Sequence, residues 1–368
     1  MFICNKLKAK MRQSKETSSM ERKGIANRPL AVLPPVLRMG SAALILVLAA
    51  RVNATLDAQL VASGLVMLLV WTISLIWRDY PERRGYEVMR CAMIFITLMM
   101  SLRYLIWRGT ETLPFHLGAA AAIVGVLLFG AECYAYLVNA LGQLPNLNKT
   151  KRTPLPLPTD PALLPIVDVY IPTYSEDPEL VRTTLIAATQ MRYPANKLRV
   201  YVLDDGGTPQ MLSHPDPAQA RTAAKRAARI QAIARQFGAH YLARERNEHA
   251  KAGNLNHALH HTEGEFIVML DCDHVPAAEL VERTLGFFLH DPKLFLVQTP
   301  HHLVNPDPLE RNLSIHNRSP SENDMFFGTI QPGLDAWRAS FFCGSAAVLR
   351  RSAIDAIGGF AQETLTED

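Results

Sequence analysis

Four apolar stretches follow one another between residues 36 and 141, and a chain patterned this way has few places to put them. A bilayer core of roughly 30 Å is crossed by about 20 apolar residues in a helix, which satisfies every backbone amide internally. Ala58–Trp77 fits best: it holds no charge and is bracketed by Asp57 and Arg78. Val36–Val52 has Arg38 and Arg51 near its ends, where long side chains reach toward headgroups. Val88–Trp107 carries Arg90 and Arg103 near its two ends, and Phe115–Leu141 contains Glu132. An acid at membrane depth is costly, so Glu132 is expected to face protein or water rather than lipid. The competing reading is a buried helical bundle, but soluble domains rarely carry four such stretches in succession.

Four spans put both ends on one side. Basic residues crowd the tail of residues 1–35 (Lys6, Lys8, Lys10, Arg12, Lys15, Arg22, Lys23), the turn at Arg78, Arg83 and Arg84, and the exit at Lys149, Lys151 and Arg152. The two opposite loops hold fewer. The positive-inside rule therefore predicts a multi-pass protein with its N-terminus and residues 142–368 in the cytoplasm, and with membrane lipid as a partner. Pro154, Pro156, Pro158, Pro161 and Pro165 mark residues 142–165 as a stiff linker. Averaged over the chain, 49% apolar and 20% charged residues conceal this division. A net charge of +4 is too small for its length to indicate a nucleic-acid partner. Cys4, Cys91, Cys133, Cys272 and Cys343 have neither zinc-site nor disulfide-framework spacing, so reduced thiols are expected. No secretory signal is expected, since the first apolar stretch lacks a credible small-residue cleavage site and more apolar stretches follow it.

Residues 166–368 alternate strand-like and helix-like runs. Strands are predicted at Ile166–Ile171, Leu198–Leu203, His240–Ala243, Phe266–Leu270 and Leu294–Gln298; helices at Pro178–Met191, Ala218–Phe237, Ala250–His261 and Leu280–Leu289. That order argues for a membrane helical region followed by an α/β domain with a doubly wound, mainly parallel sheet. Ligands of such sheets sit beyond the carboxyl ends of the strands. Asp204-Asp205-Gly206-Gly207 and Asp271-Cys272-Asp273 both stand there. Ala218–Phe237 carries Arg221, Lys225, Arg226, Arg229 and Arg235 without an acid, which reads as a solvated basic face or as contact with anionic lipid.

Alternation sends both carboxylates of a D-x-D pair to one side of an extended segment, and two carboxylates there suit Mg²⁺ or Mn²⁺ with substrate phosphates. Asp204 could face the base or ribose of a nucleotide, although Asp-Gly also marks plain turns. Lys251-Ala-Gly-Asn254 opens a helix, a place that suits phosphate, with Gly253 allowing close backbone approach; a capping turn is the plain alternative. Of the adjacent His301 and His302, at most one can face a site. Cys343, within Phe341-Phe-Cys-Gly-Ser345, reads as a small wall residue rather than a nucleophile. Thr366-Glu367-Asp368 carries no signal by itself.

As an ordered set these runs are far more specific. With Ile171-Pro-Thr-Tyr174, His249-Ala-Lys-Ala-Gly-Asn254, Gln298-Thr-Pro-His-His302 and Leu102-Arg-Tyr-Leu-Ile-Trp-Arg108, the chain resembles the inverting family 2 glycosyltransferases with a GT-A-like fold. Within them it is similar to the catalytic subunits of bacterial cellulose synthases. The resemblance implies UDP-glucose as donor, a growing β-1,4-glucan as acceptor, and a bacterial inner-membrane setting. It assigns Tyr174, Asp204 and Lys251 to the nucleotide, and Asp271 and Asp273 to the metal-bound diphosphate. His301, Cys343 and Glu367 would line the space between donor and acceptor, and Asp368 would be the catalytic base on the acceptor 4-hydroxyl. It further implies a periplasmic membrane-anchored partner subunit and, in the intact protein, cyclic di-GMP as activator. The family's Gln-x-x-Arg-Trp segment and later spans are missing, so the expectation is a C-terminally truncated fragment that binds donor weakly and makes no polymer. A synthase of another β-glycan, such as a 1,3-linked glucan, and an inactive membrane scaffold are the alternatives.

Overall fold

The computed structural model describes residues 55–77, 85–316 and 321–363. The chain divides into two compact units, Met1–Leu147 and Asn148–Asp368.

In the first unit, α1 (Leu56–Trp77), α2 (Tyr86–Glu111) and α3 (Ala119–Gly142) fall on the second, third and fourth apolar stretches. Two helical segments, Tyr86–Leu117 and Ala119–Leu147, are long and apolar enough to cross a membrane; the apolar part of α1, Asp57–Ile73, is shorter. The Val36–Val52 stretch lies outside the described residues. Leu127, Val124, Tyr134 and Leu137 of α3 point outward with more than half their surface exposed, as lipid contact would require. Glu132 does face protein: Arg108 Nε and the Tyr104 hydroxyl each lie 3.4 Å from its Oε2. Tyr136 donates to the Leu98 carbonyl at 3.3 Å, a second polar tie between α2 and α3.

The second unit is a six-stranded sheet in the order β3-β2-β1-β4-β6-β5. Its strands are β1 (Val167–Thr173), β2 (Leu198–Asp204), β3 (His240–Leu242), β4 (Phe266–Met269), β5 (Leu296–Gln298) and β6 (Ala347–Arg350). Strands β3, β2, β1 and β4 pair in parallel, whereas β6 is antiparallel to both β4 and β5. The sheet is thus mixed, and β6 was not expected. Four helices cover it: α4 (Pro178–Thr189), α5 (Pro217–Gln236), α6 (Ala250–His261) and α7 (Leu280–His290). Alternate strand residues bury on opposite faces. Val169, Ile171, Val202 and Val268 pack with Leu185 of α4, Ile230 of α5 and Leu285 of α7. Tyr170, Leu203, Ile267 and Leu349 pack with Leu255 and Ala258 of α6. Helices therefore stand on both faces. α4 and α5 begin alike: Asp177 and Asp216 accept from the amides of Glu179 and Ala218, and a proline occupies the first turn.

Three local expectations change. Strand β1 runs through Pro172, which pairs with Leu203. The Val167 amide points toward the β2 side, to Lys197, so alternation turns Pro172 toward β4, whose pairing has already ended at Tyr170. The missing N–H therefore breaks no ladder bond. The proline-rich segment is no free linker beyond Leu147: Arg152 forms a two-pronged pair with Asp335 at 2.7 and 2.8 Å. The Thr150 amide bonds the Pro332 carbonyl, and Leu157 packs on the core. The basic helix is not uniformly solvated either. Arg229 pairs with Glu179, and Arg226 turns inward to the end of β2 with 11% of its side chain exposed.

Candidate active site

The carboxyl ends of β1, β2 and β4 carry the motifs, and the structure shows what holds each. Asp204, last in β2, is fully buried. Arg226 Nη1 and the Gly206 amide donate to its Oδ1 at 2.7 and 3.0 Å, and the Tyr241 hydroxyl donates to Oδ2 at 2.8 Å. Arg226 also donates to Thr173 Oγ1 and the Glu176 carbonyl, so one guanidinium ties the ends of β1 and β2 together. Gly206 must be glycine, because a Cβ there would fall on the Tyr174 carbonyl and beside Arg226. Tyr174 itself has 44% of its surface exposed and offers an open ring. Asp204 thus acts from below the surface, shaping the turn that carries Tyr174.

Asp205 belongs to a second tie. Arg244 is buried and donates five hydrogen bonds: to both Asp205 oxygens at 2.7 Å, to the Glu248 carbonyl at 2.5 Å, and to Asn247 Oδ1 and the Ala250 carbonyl at 2.9 Å. Those last three oxygens belong to the loop before α6 and to its first residue, where His249 and Ala250 adopt φ of 57° and 43°. Such backbone is strained for a side-chain-bearing residue and persists only when neighbours impose it. The close approach at Gly253 is to this loop's Glu248 carbonyl. Asn254, buried, donates to the Leu203 carbonyl at 2.9 Å and seats α6 against β2.

Lys251 is therefore placed with little freedom, and it joins three motifs. Its Nζ lies 2.9 Å from Asp271 Oδ1 and 3.0 Å from the Gly344 carbonyl. Burial would raise the Asp271 carboxyl, but the Lys251 ammonium, the Ser345 hydroxyl and His274 outweigh it and hold it below its ordinary range. Asp271, Asp273 and His274 present ligand atoms within 4.8 Å of one another. His274 Nδ1 accepts from the Asp271 amide at 3.4 Å, which leaves the proton on Nε2, 3.7 and 3.9 Å from the two carboxylates. His274 so placed steadies the carboxylates, and Asp271 and Asp273 supply hard oxygen ligands, Asp273 with 64% of its side chain exposed. That donor set fits Mg²⁺ or Mn²⁺, which accept one or two carboxylates and complete their shell with phosphate and water.

His301 faces this group, its ring 4.8 Å from that of His274 and 4.7 Å from that of Phe327; burial lowers its imidazole below the ordinary range. His302 is exposed. The thiol of Cys343 is pushed up by burial and lies 3.1 Å from Gln331 Nε2, which suits a wall and not a nucleophile. Gln298 fixes this wall, accepting from the Cys343 amide and donating to the Ser345 carbonyl. Cys272 points into the core with its thiol raised to about 12. Glu367 and Asp368 lie outside the described residues. Arg244 and His274 went unremarked in the sequence, Arg226 was noted only as part of a basic helix, and Gln298 only as the head of the Gln298-Thr-Pro-His-His302 run. His274 adjoins the D-x-D run and could have been included with it; Arg244 sits in unpatterned surroundings.

An α/β layer with helices on both faces, and paired carboxylates after a central strand, puts the candidate site beyond the carboxyl ends of the strands, where ligands of such sheets bind. Residues 168–358 match the model of glycosyl transferase family 2, and the chain belongs to that family. It is 46% identical over 286 residues to Cellulose synthase 2 of Novacetimonas hansenii, covering 78% of this chain and 17% of that protein. It is 40% identical over 326 residues to the UDP-forming cellulose synthase catalytic subunit of Xanthomonas axonopodis pv. citri, covering 89% of this chain and 41% of that one. A third relative, the UDP-forming cellulose synthase 1 catalytic subunit of Komagataeibacter xylinus, is 44% identical over 273 residues, 74% of this chain and 34% of its own. The chain thus spans less than half the length of each of these curated relatives.

Proposed function

We propose that this chain carries the donor site of a UDP-glucose-dependent β-glucan synthase of the cellulose-forming kind, which transfers glucose to a 4-hydroxyl with inversion and releases UDP. The observation that carries the reading is the Lys251 ammonium set between Asp271 and the Gly344 carbonyl, which gathers three motifs around one positive charge. Tyr174 offers its ring to the uracil, above the turn that Asp204 and Arg226 hold. Lys251 sets a positive charge beside the diphosphate. Asp271 and Asp273 would hold Mg²⁺, or Mn²⁺ in its place; such an ion neutralises charge on the departing diphosphate. His301 and Cys343 line the way to the acceptor; the sequence resemblance assigns Glu367 to the same space and Asp368 as the base on the attacking hydroxyl. The distribution of basic residues supports a multi-pass inner-membrane protein with this domain in the cytoplasm. A periplasmic partner subunit and control by cyclic di-GMP belong to the same reading and rest on sequence resemblance alone.

Calorimetry on the full chain in lipid nanodiscs tests it. UDP is expected to bind in the presence of Mg²⁺ or Mn²⁺ and more tightly than GDP, and Asp271→Asn and Asp273→Asn should remove the metal-dependent part. Absent UDP binding, or binding indifferent to both substitutions, refutes the assignment.

A further inference from the structure

Helix α6 begins at the donor site and ends away from its chemistry. Its last two turns carry His257, His260 and His261, none of which the proposed transfer uses. His257 and His261 stand four residues apart, so their side chains lie on one face, one above the other. Their ring centroids are 4.2 Å apart at an interplanar angle of 36°. His261 Nδ1 lies 2.8 Å from the His257 carbonyl. A carbonyl only accepts, so Nδ1 bears the proton and Nε2 of the neutral ring offers a lone pair. Metal-ligating histidines are held in this way, donating from the second nitrogen to a backbone carbonyl. Burial, followed by His261, Arg244 and His260, lowers the His257 imidazole below its ordinary range. The Arg244 charge is matched by Asp205 at 2.7 Å. The C-terminal turn of a helix also carries partial negative charge that favours a cation.

We propose that His257 and His261 form a two-imidazole site for a borderline divalent cation of the zinc or copper type, separate from the Asp271–Asp273 pair. The ligands sort the ions: imidazole suits zinc and copper, whereas paired carboxylates suit magnesium and manganese. Water is available for the remaining tetrahedral positions. An ion bridging the two rings would add a cross-link to the last turn of α6, which is exposed at His260 and His261.

The test uses the full chain, without a polyhistidine tag, in excess Mg²⁺ so that the carboxylate pair is occupied. Titration with Zn²⁺ is expected to show one ion bound per chain, and Cu²⁺ to give an electron paramagnetic resonance spectrum with nitrogen couplings from two imidazoles. His257→Asn and His261→Asn should each weaken Zn²⁺ binding at least about tenfold, with unchanged circular dichroism. The Asp271→Asn, Asp273→Asn double variant should retain it. Zn²⁺ should also slow hydrogen exchange at the end of α6 in the parent chain but not in the two histidine variants. No Zn²⁺ binding in excess Mg²⁺, or binding that survives both histidine substitutions, overturns the proposal.

Discussion

Replacing Arg244 by methionine tests whether Lys251 is held in place by a buried ion pair. The substitution keeps much of the side chain's length and apolar stem but removes all five hydrogen bonds. Asp205, with 5% of its side chain exposed, then stands beside buried Asp204 with no cation of its own. Breaking one side of such a pair costs about 3–5 kcal/mol, most of it from the charge left behind. The loop at His249 and Ala250 loses the donor that held its left-handed backbone, and Lys251 loses its fixed position with it. Hydrogen exchange read on peptides spanning 203–207 and 244–254 should show protection falling by roughly 150- to 4,000-fold, since about 1.4 kcal/mol is tenfold. A pH dependence follows. Burial already raises the Asp205 carboxyl with Arg244 present, and without it the folded-state value rises further above the unfolded one. A carboxyl raised in the folded state contributes stability below its unfolded value and loses it as pH rises through the folded one. The defect of the variant should therefore deepen from acid toward neutral pH, and Asp205→Asn should relieve part of it. A loss below about 1 kcal/mol, or a strictly additive double variant, would refute the reasoning.

Gly206→Ala sets a methyl group against the Tyr174 carbonyl and should cost about 1–3 kcal/mol by overpacking; raised hydrogen exchange at 172–177 and weaker UDP binding would register it, and parent-like values for both would contradict it. Glu132 and Arg108 should couple by roughly 0.6–1.7 kcal/mol in a cycle of Gln substitutions read by unfolding in lipid bicelles; zero coupling would mean that the 3.4 Å approach contributes nothing. Gly286→Ala pushes a methyl group onto the Leu155 carbonyl, so the segment from residue 148 should open about 5- to 150-fold more often. Trypsin cleavage at Lys151 and Arg152 reports it, and an unchanged rate would show that the proline-rich segment is not anchored there.

Much of the outline was legible in the sequence because it depends on periodicity. Apolar stretches of membrane length, strands ending at Asp204 and near Asp271, and helices capped by Asp177-Pro178 and Asp216-Pro217 all declare themselves within a few residues. The order of motifs carried the family, and the helix at Ala250–His261 was predicted to its last residue. Strand β6 was not legible, since a four-residue buried strand after a glycine turn resembles core packing of any kind. Nor did the sequence show that Arg226 and Arg244 are the anchors of the site, because a lone arginine in a helix or loop looks the same whether it meets solvent or a buried carboxylate. The sequence by itself determined most of the strands and helices and singled out the candidate site residues. Only the tertiary structure decided that Lys251, Asp271 and Gly344 meet, that Asp204 works from within, and that Glu132 has Arg108 for a partner. Local pattern is written in neighbouring residues, whereas a contact between residues 20, 39 or 93 positions apart exists only once the sheet has brought its strand ends together.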